Sequence, residues 1–353
     1  MAAEEEAAST PGRRSARFAA ALKRAAVFVL LTIAIDFAVG AVCERLFLKT
    51  LTGERGGLTN YALTKEADVL VLGSSRAQFH VMPSILGREL SLRTFNAGLK
   101  GHDLLYAVML ADLWKRRHPA PRAIVLTVDL DSLARQDTEI AAAQVVAPYI
   151  GESDLVREVL YQGGPYKQLE YLSRAYRFNG KVLPILKNLF VRPQPDSDGF
   201  WPQYGVIPLE DPTYGLARHG LLEFPPPGEQ ASDEMAMATA RRPFWDAKVR
   251  YLEALARDGH RSGTQLFLVH SPIYGLSRQA HEVWTARIRE LARTLPGTWF
   301  LDICEFTEPE VFAGKPELFK DFAHLNARGA IVFSEILARH MKARLGALPP
   351  VAR

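Results

Sequence analysis

Apolar positions along this chain fall into three regimes. In the first, "AAVFVLLTIAIDFAVGAVC" (25–43), nearly every residue is apolar and no polar face recurs. As a helix it is about 28 Å long at ~1.5 Å per residue. That length predicts a membrane-spanning segment, since a bilayer core is about 30 Å thick. Arg13, Arg14, Arg17, Lys23 and Arg24 precede it, and Arg45, Lys49 and Arg55 follow it. The bias predicts a cytoplasmic amino terminus and an exported body. A cleaved signal peptide, with Val39 and Ala41 flanking the cut, is the competing reading. Asp36 lies inside the span. It either meets a membrane partner or is a lone acid carried by a strongly apolar helix.

The second regime alternates short apolar runs with stretches of helical period. "ADVLVLG" (67–73), "LRTFNAG" (92–98), "RAIVLTVDLDSL" (122–133), "TQLFLVHSP" (264–272) and "TWFLDIC" (298–304) read as strands. Between and after them, 83–90, 102–117, 235–259, 277–294 and 326–345 read as helices, the first opening at Pro83. This alternation predicts an α/β domain with a doubly wound, parallel, five-stranded sheet.

In the third regime, 134–235, the rhythm breaks. Residues 134–190 look helical, and 191–215 and 224–230 are too rich in Pro and Gly for regular elements. We read 134–235 as an insertion that forms either a lid or a plain surface excursion. The expected organisation is therefore a disordered cytoplasmic arm (1–24), an anchor (25–43), a linker (44–66), an α/β domain (67–345) and a short tail (346–353).

Composition narrows the class. The 353 residues are 48% hydrophobic and 23% charged, as in globular proteins. A net charge of +4 gives no basic stripe for nucleic acid, and the only cysteines, Cys43 and Cys304, build neither a disulfide framework nor a zinc motif. No metal and no cofactor is expected.

Candidate chemistry gathers at the carboxyl ends of the strands, where open α/β sheets bind ligands. "LGSSR" (72–76) follows the first strand, "NAGLKGHD" (96–103) the second, and "DFAHLN" (321–326) precedes the last helix. Serine attacks a carbonyl only when a base takes its proton. His324 supplies a base and Asp321 an orienting carboxylate within one loop. Backbone amides of Ser75 and near Gly101 are candidate oxyanion donors. Arg76 either contacts an anionic polymer or caps the following loop, and Asn96, a candidate substrate contact, is expected to make local backbone bonds near the site. His80, His102 and His270 are expected to be satisfied polar or surface residues.

These three blocks resemble the SGNH (GDSL-type) hydrolase superfamily, over about residues 67–133 and 264–345. The resemblance implies a flavodoxin-like sheet, Ser75 as nucleophile, Asp321 and His324 as its partners, and Gly101 as the second oxyanion donor. Two departures stand out. The family's Gly-Asp-Ser reads Gly73–Ser74–Ser75, similar to membrane-anchored members that modify cell-envelope polymers, including D-alanyl lipoteichoic acid transfer proteins. The family's Gly-x-Asn-Asp block reads "TVDLDS" (127–132), which has no Asn. Neither Asp129 nor Asp131 can donate to an oxyanion while ionised. The resemblance implies an acyl esterase or O-acyltransferase working through an acyl-enzyme on a cell-envelope or extracellular polysaccharide. The domain would be exported from the cytoplasmic membrane, and a membrane O-acyltransferase is a candidate partner through the anchor. A non-catalytic assembly or binding factor for the same polymer is the alternative, and a lipid esterase acting at the bilayer is a third reading.

Overall fold

Val69–Leu72 forms strand β1, and all four side chains are buried. Continuous burial of this kind belongs to a parallel strand covered on both faces. In the computed structural model, which describes residues 11–51, 55–102, 104–130, 132–134, 143–188, 190, 198–207 and 230–345, β1 pairs in parallel with β2 (Thr94–Asn96) and with β3 (Ala123–Thr127). Strands β4 (Gln265–His270) and β5 (Thr298–Asp302) extend the sheet beyond β3. The sheet is all parallel, in the order β2-β1-β3-β4-β5. The five apolar runs are the five strands, each shorter than its run.

Side-chain alternation divides the core. Leu70, Leu72, Ile124, Leu126, Leu266 and Leu268 face one layer of helices. That layer contains Leu104–Lys115 and two later helices, Asp246–Arg261 and Arg278–Thr294. Val69, Val71, Val125, Phe267 and Val269 face the other layer. It contains Pro83–Leu90 and the closing helix Ala327–Leu345. The two helix-covered faces leave the carboxyl ends of the strands as the open edge.

Three expectations change. The linker 44–66 is structured: the amino-terminal helix α1 runs Pro11–Leu48, and α2 covers Arg55–Ala62. Phe47 is buried in the core, and the Asn60 amide donates to the Phe47 and Thr50 carbonyls. A helix expected over 235–259 is two, Gln230–Arg241 and Asp246–Arg261. Pro243 sits in the break, where it can donate no helical hydrogen bond. Third, Asp36 finds its partners within the chain. Its carboxylate accepts from the Ser173 hydroxyl and from the backbone amides of Arg174 (2.8 Å) and Ala175 (3.2 Å).

Helix α1 is long and apolar enough to cross a membrane. Part of the insertion is helical: Asp154–Tyr161, Pro165–Leu172 and Val182–Asn188. Residues 1–10, 135–142, 191–197, 208–229, the tail 346–353 and Asp131 lie outside the described residues.

Candidate active site

The first block is shaped by one glycine. Gly73 ends β1 at φ 132°, a conformation that L side chains rarely adopt. A Cβ there would fall 2.1 Å from Thr127 Oγ1 and 3.3 Å from Ala77 Cβ. Ser74 then caps the short helix Ser75–His80, its hydroxyl accepting from the Arg76 amide at 3.4 Å. Ser75 is therefore the first residue of a helix, at the carboxyl edge of the sheet, and its amide has no intrahelical acceptor.

Ser75 Oγ lies 2.8 Å from His324 Nε2. His324 Nδ1 lies 2.9 and 3.0 Å from the two carboxylate oxygens of Asp321. The amides of Ala323 and His324 also donate to Asp321 Oδ1, both at 2.9 Å. Burial raises the Asp321 pKa, but the His324 hydrogen bond, the histidine's charge and the two amides outweigh it. The carboxylate is held below its ordinary range. The Nδ1 proton belongs between His324 and this carboxylate, which leaves Nε2 as an acceptor for the Ser75 proton. Both side chains are largely buried and still reach solvent.

The loop that carries His324 is pinned from behind by His80. Fully buried, His80 accepts from the Leu325 amide on Nε2 (3.0 Å), so its Nδ1 proton points to Ser271 Oγ, also at 3.0 Å. Burial, then the neighbouring His324, Arg76 and His270, hold its pKa well below the ordinary histidine value. His80 is a neutral strut. His102 is buried as well, with Nδ1 3.1 Å from the Lys100 carbonyl and its ring edge-on to Tyr106.

The turn after β2 packs on the nucleophile's helix. Asn96 donates to the Ala77 (2.6 Å) and Val81 (2.8 Å) carbonyls and accepts from the Gly98 amide (2.9 Å). A Cβ at Gly98 would fall 2.5 Å from Ala77 Cβ. In this turn the amides of Gly98, Leu99, Lys100 and His102 bond to Asn96, Gly73, Gln78 and Leu99. Gly101, at φ 75°, is exposed, and its amide has no acceptor among the described residues.

Two candidate substrate contacts take other positions. Arg76 is 3% exposed, and its guanidinium forms a 2.8 Å ion pair with Asp129 Oδ1. Ser74 Oγ donates to Asp129 Oδ2 at 3.3 Å. Arg76 is thus turned inward under the nucleophile, and the Asn96 amide is used in holding the turn. Sequence reading missed the Arg76–Asp129 pair because the two lie on separate strand ends with no shared motif. Within the insertion read as a lid or a surface excursion, a strap, 198–207, joins the helix that Ser75 opens to the segment that carries Asp321 and His324. The strap's Trp201 amide bonds to the Gln78 carbonyl on one side. Its Ile207 amide bonds to the Phe319 carbonyl, and its Gly205 carbonyl to the Asn326 amide group, on the other. Trp201 and Tyr204 of this strap are exposed.

A second polar cluster lies at the ends of β4 and β5. His270, His281 and Asp302 bring ligand atoms within 4.8 Å of one another, a donor set that suits a transition metal. His281 Nε2 is 3.0 Å from Asp302 Oδ1, a spacing that an ordinary buried hydrogen bond also explains. Cys304 adjoins the cluster, its thiol pushed up to about 12 by burial and by the Asp302 charge. Nearby, burial pushes the Glu305 carboxyl up to about 7.

No protein-family model matches the chain, and no curated protein matches it. Among solved structures it is similar to one described as "a putative platelet activating factor from Streptococcus pneumonia", with TM-score 0.38 and 12% identity over 91% of this chain and 99% of the other.

Proposed function

We propose that this chain is a serine-dependent acyl esterase or O-acyltransferase of the SGNH type, on a doubly wound domain carried by a membrane anchor. The observation that carries the reading is the continuous array from Ser75 Oγ through His324 to Asp321. In the proposed reaction His324 Nε2 takes the Ser75 proton as Oγ bonds to an ester carbonyl carbon. The carbonyl oxygen becomes an oxyanion, received by the amides of Ser75 and Gly101. Collapse breaks the ester bond, His324 returns its proton to the leaving alcohol, and an acyl-Ser75 remains. Water or a sugar hydroxyl then takes the acyl group, with His324 again as base.

The missing third-block Asn bears on this reading. Asp129 occupies that strand end, and its charge is met by Arg76 and Ser74 rather than directed at an oxyanion. Two amides rather than three donors would serve the oxyanion, and losing one donor typically costs about 10²–10³ in rate. Trp201 and Tyr204, exposed on the strap that joins the Ser75 helix to the His324 segment, support a saccharide acceptor, since aromatic faces offer apolar area to sugar rings. The anchor supports an envelope polymer as substrate and a partner in the same membrane, such as an O-acyltransferase. The Asp129 substitution is also what favours the alternative, a non-catalytic binding factor.

A serine-directed fluorophosphonate separates the two. The full chain is used, because Phe47 at the end of α1 is part of the core. An adduct on Ser75, absent from Ser75→Ala and strongly reduced in His324→Ala, is expected. A folded protein that stays unlabelled at Ser75 would sink the enzymatic reading.

A further inference from the structure

A bilayer core of about 30 Å needs roughly 20 helical residues, so a spanning α1 must use essentially all of Ala25–Cys43. Asp36 lies seven residues, about 10 Å, inside the Cys43 end of that span. Its carboxylate is nonetheless satisfied by residues 173–175 of the insertion. On the same stripe of α1, Gly40 lets the backbones meet closely: a Cβ there would fall 2.4 Å from Arg174 Cβ. Glu44, one turn further, accepts from the Arg174 guanidinium at 2.9 Å. Helix α1 also packs against Tyr176–Phe178 and Val182–Asn188. The insertion therefore descends along α1 to a depth that hydrocarbon would otherwise occupy.

The outward side of this descending hairpin is apolar. Leu169 is 64% exposed, Leu172 67%, Leu183 78% and Phe190 88%. Residues 165–190 also hold five basic side chains (Lys167, Arg174, Arg177, Lys181 and Lys187) and one acidic one, Glu170. Apolar outward residues with a basic excess suit the boundary between acyl chains and anionic headgroups. On α1 itself, Ile35, Phe37, Val39 and Val42 are exposed.

We propose that the hairpin built from Pro165–Leu172 and Val182–Asn188 is seated in the lipid leaflet from which α1 emerges, so that the α/β domain is held at the bilayer surface by two elements. This rests on α1 crossing the membrane and not on the chemistry of Ser75. The hairpin then fixes the domain's orientation, because Asp36, Gly40 and Glu44 lock it to α1.

The test uses the full chain reconstituted in phosphatidylethanolamine–phosphatidylglycerol vesicles that contain a lipid with a diazirine in its acyl chain. After irradiation, adducts are mapped by mass spectrometry. Adducts are expected on α1 and on peptides covering 165–190, and not on Asp246–Arg261. Combined Leu169→Gln, Leu183→Gln and Phe190→Gln should lower hairpin adducts about fivefold and leave α1 adducts unchanged. Should the triple variant misfold, the wild-type map alone decides. Adducts confined to α1 would overturn the proposal, in favour of a hairpin that stays in water or is covered by another protein. An unlabelled α1 would overturn it by removing its premise, and Ser75 reactivity would be untouched by either result.

Discussion

Arg76 and Asp129 form a 2.8 Å ion pair directly under the candidate nucleophile, with Arg76 almost wholly removed from solvent. Removing one partner of a buried pair strands the other charge, at a cost of about 3–5 kcal/mol. Asp129→Ala and Arg76→Met are each expected to lower stability by that order in chemical denaturation. The double variant Arg76→Met/Asp129→Leu should recover much of the loss, since no charge is then left alone. It should not recover the Ser75 labelling rate if the pair also positions the turn. A double variant that labels at the wild-type rate would make the pair purely structural.

Asp321→Asn should leave the fold in place and remove the acceptor that holds the Nδ1 proton of His324. An amide that presents its NH₂ group favours the wrong tautomer, and in a serine protease the equivalent change costs about 10⁴ in turnover. A loss of that order in labelling or ester hydrolysis, in a protein that still unfolds cooperatively, is the expected result. The folded carboxylate titrates below its ordinary value, so its stabilising contribution is present above the ordinary carboxylate range. It is lost as pH falls through the folded value. Asp321→Asn should flatten that part of the acid limb of the stability profile.

Glu305 carries the opposite sign. Burial raises its pKa to about 7 from the ordinary 4.5. The folded state holds this proton when the unfolded state has released it, so stability falls as pH rises from about 4.5 to about 7. That difference amounts to on the order of 3 kcal/mol. Glu305→Gln is expected to remove this decline and to be the more stable protein above neutral pH. Parallel wild-type and variant profiles across that window would refute the assignment.

Gly73→Ala places a Cβ against Thr127 Oγ1 and in a backbone region costly for L residues. The strain alone is about 1–3 kcal/mol. Relief through Thr127→Ala should restore part of the stability, but only the steric part, because φ 132° persists. A Gly73→Ala protein with unchanged stability would mean that the turn after β1 relaxes freely.

Trp201→Ala separates the acceptor from the chemistry. It is expected to leave Ser75 labelling and the hydrolysis of a small acyl ester within about twofold, since Trp201 touches no triad member in the hydrogen-bond array. It should raise KM for an acylated oligosaccharide. Equal effects on both substrates would remove the strap from the saccharide site.

Periodicity carried much of this architecture. β1, β3 and β4 are buried along their whole length, and a parallel sheet covered on both faces leaves that mark as unbroken apolar runs. The apolar length of 25–43 likewise announced a membrane-sized helix, because bilayer thickness is a constraint that one segment meets by itself. Ser75, Asp321 and His324 were legible as types and blocks. Their hydrogen bonds were not, since Ser75 and His324 are 249 positions apart and meet only after the sheet is assembled. The inward turn of Arg76 and the capture of Asp36 by residues 173–175 were beyond the sequence for the same reason. Each is a polar group whose partner is chosen by what folding brings near it once water is excluded. Local pattern determined which segments became strands, helices and the apolar span, and tertiary packing decided which polar groups had to satisfy one another.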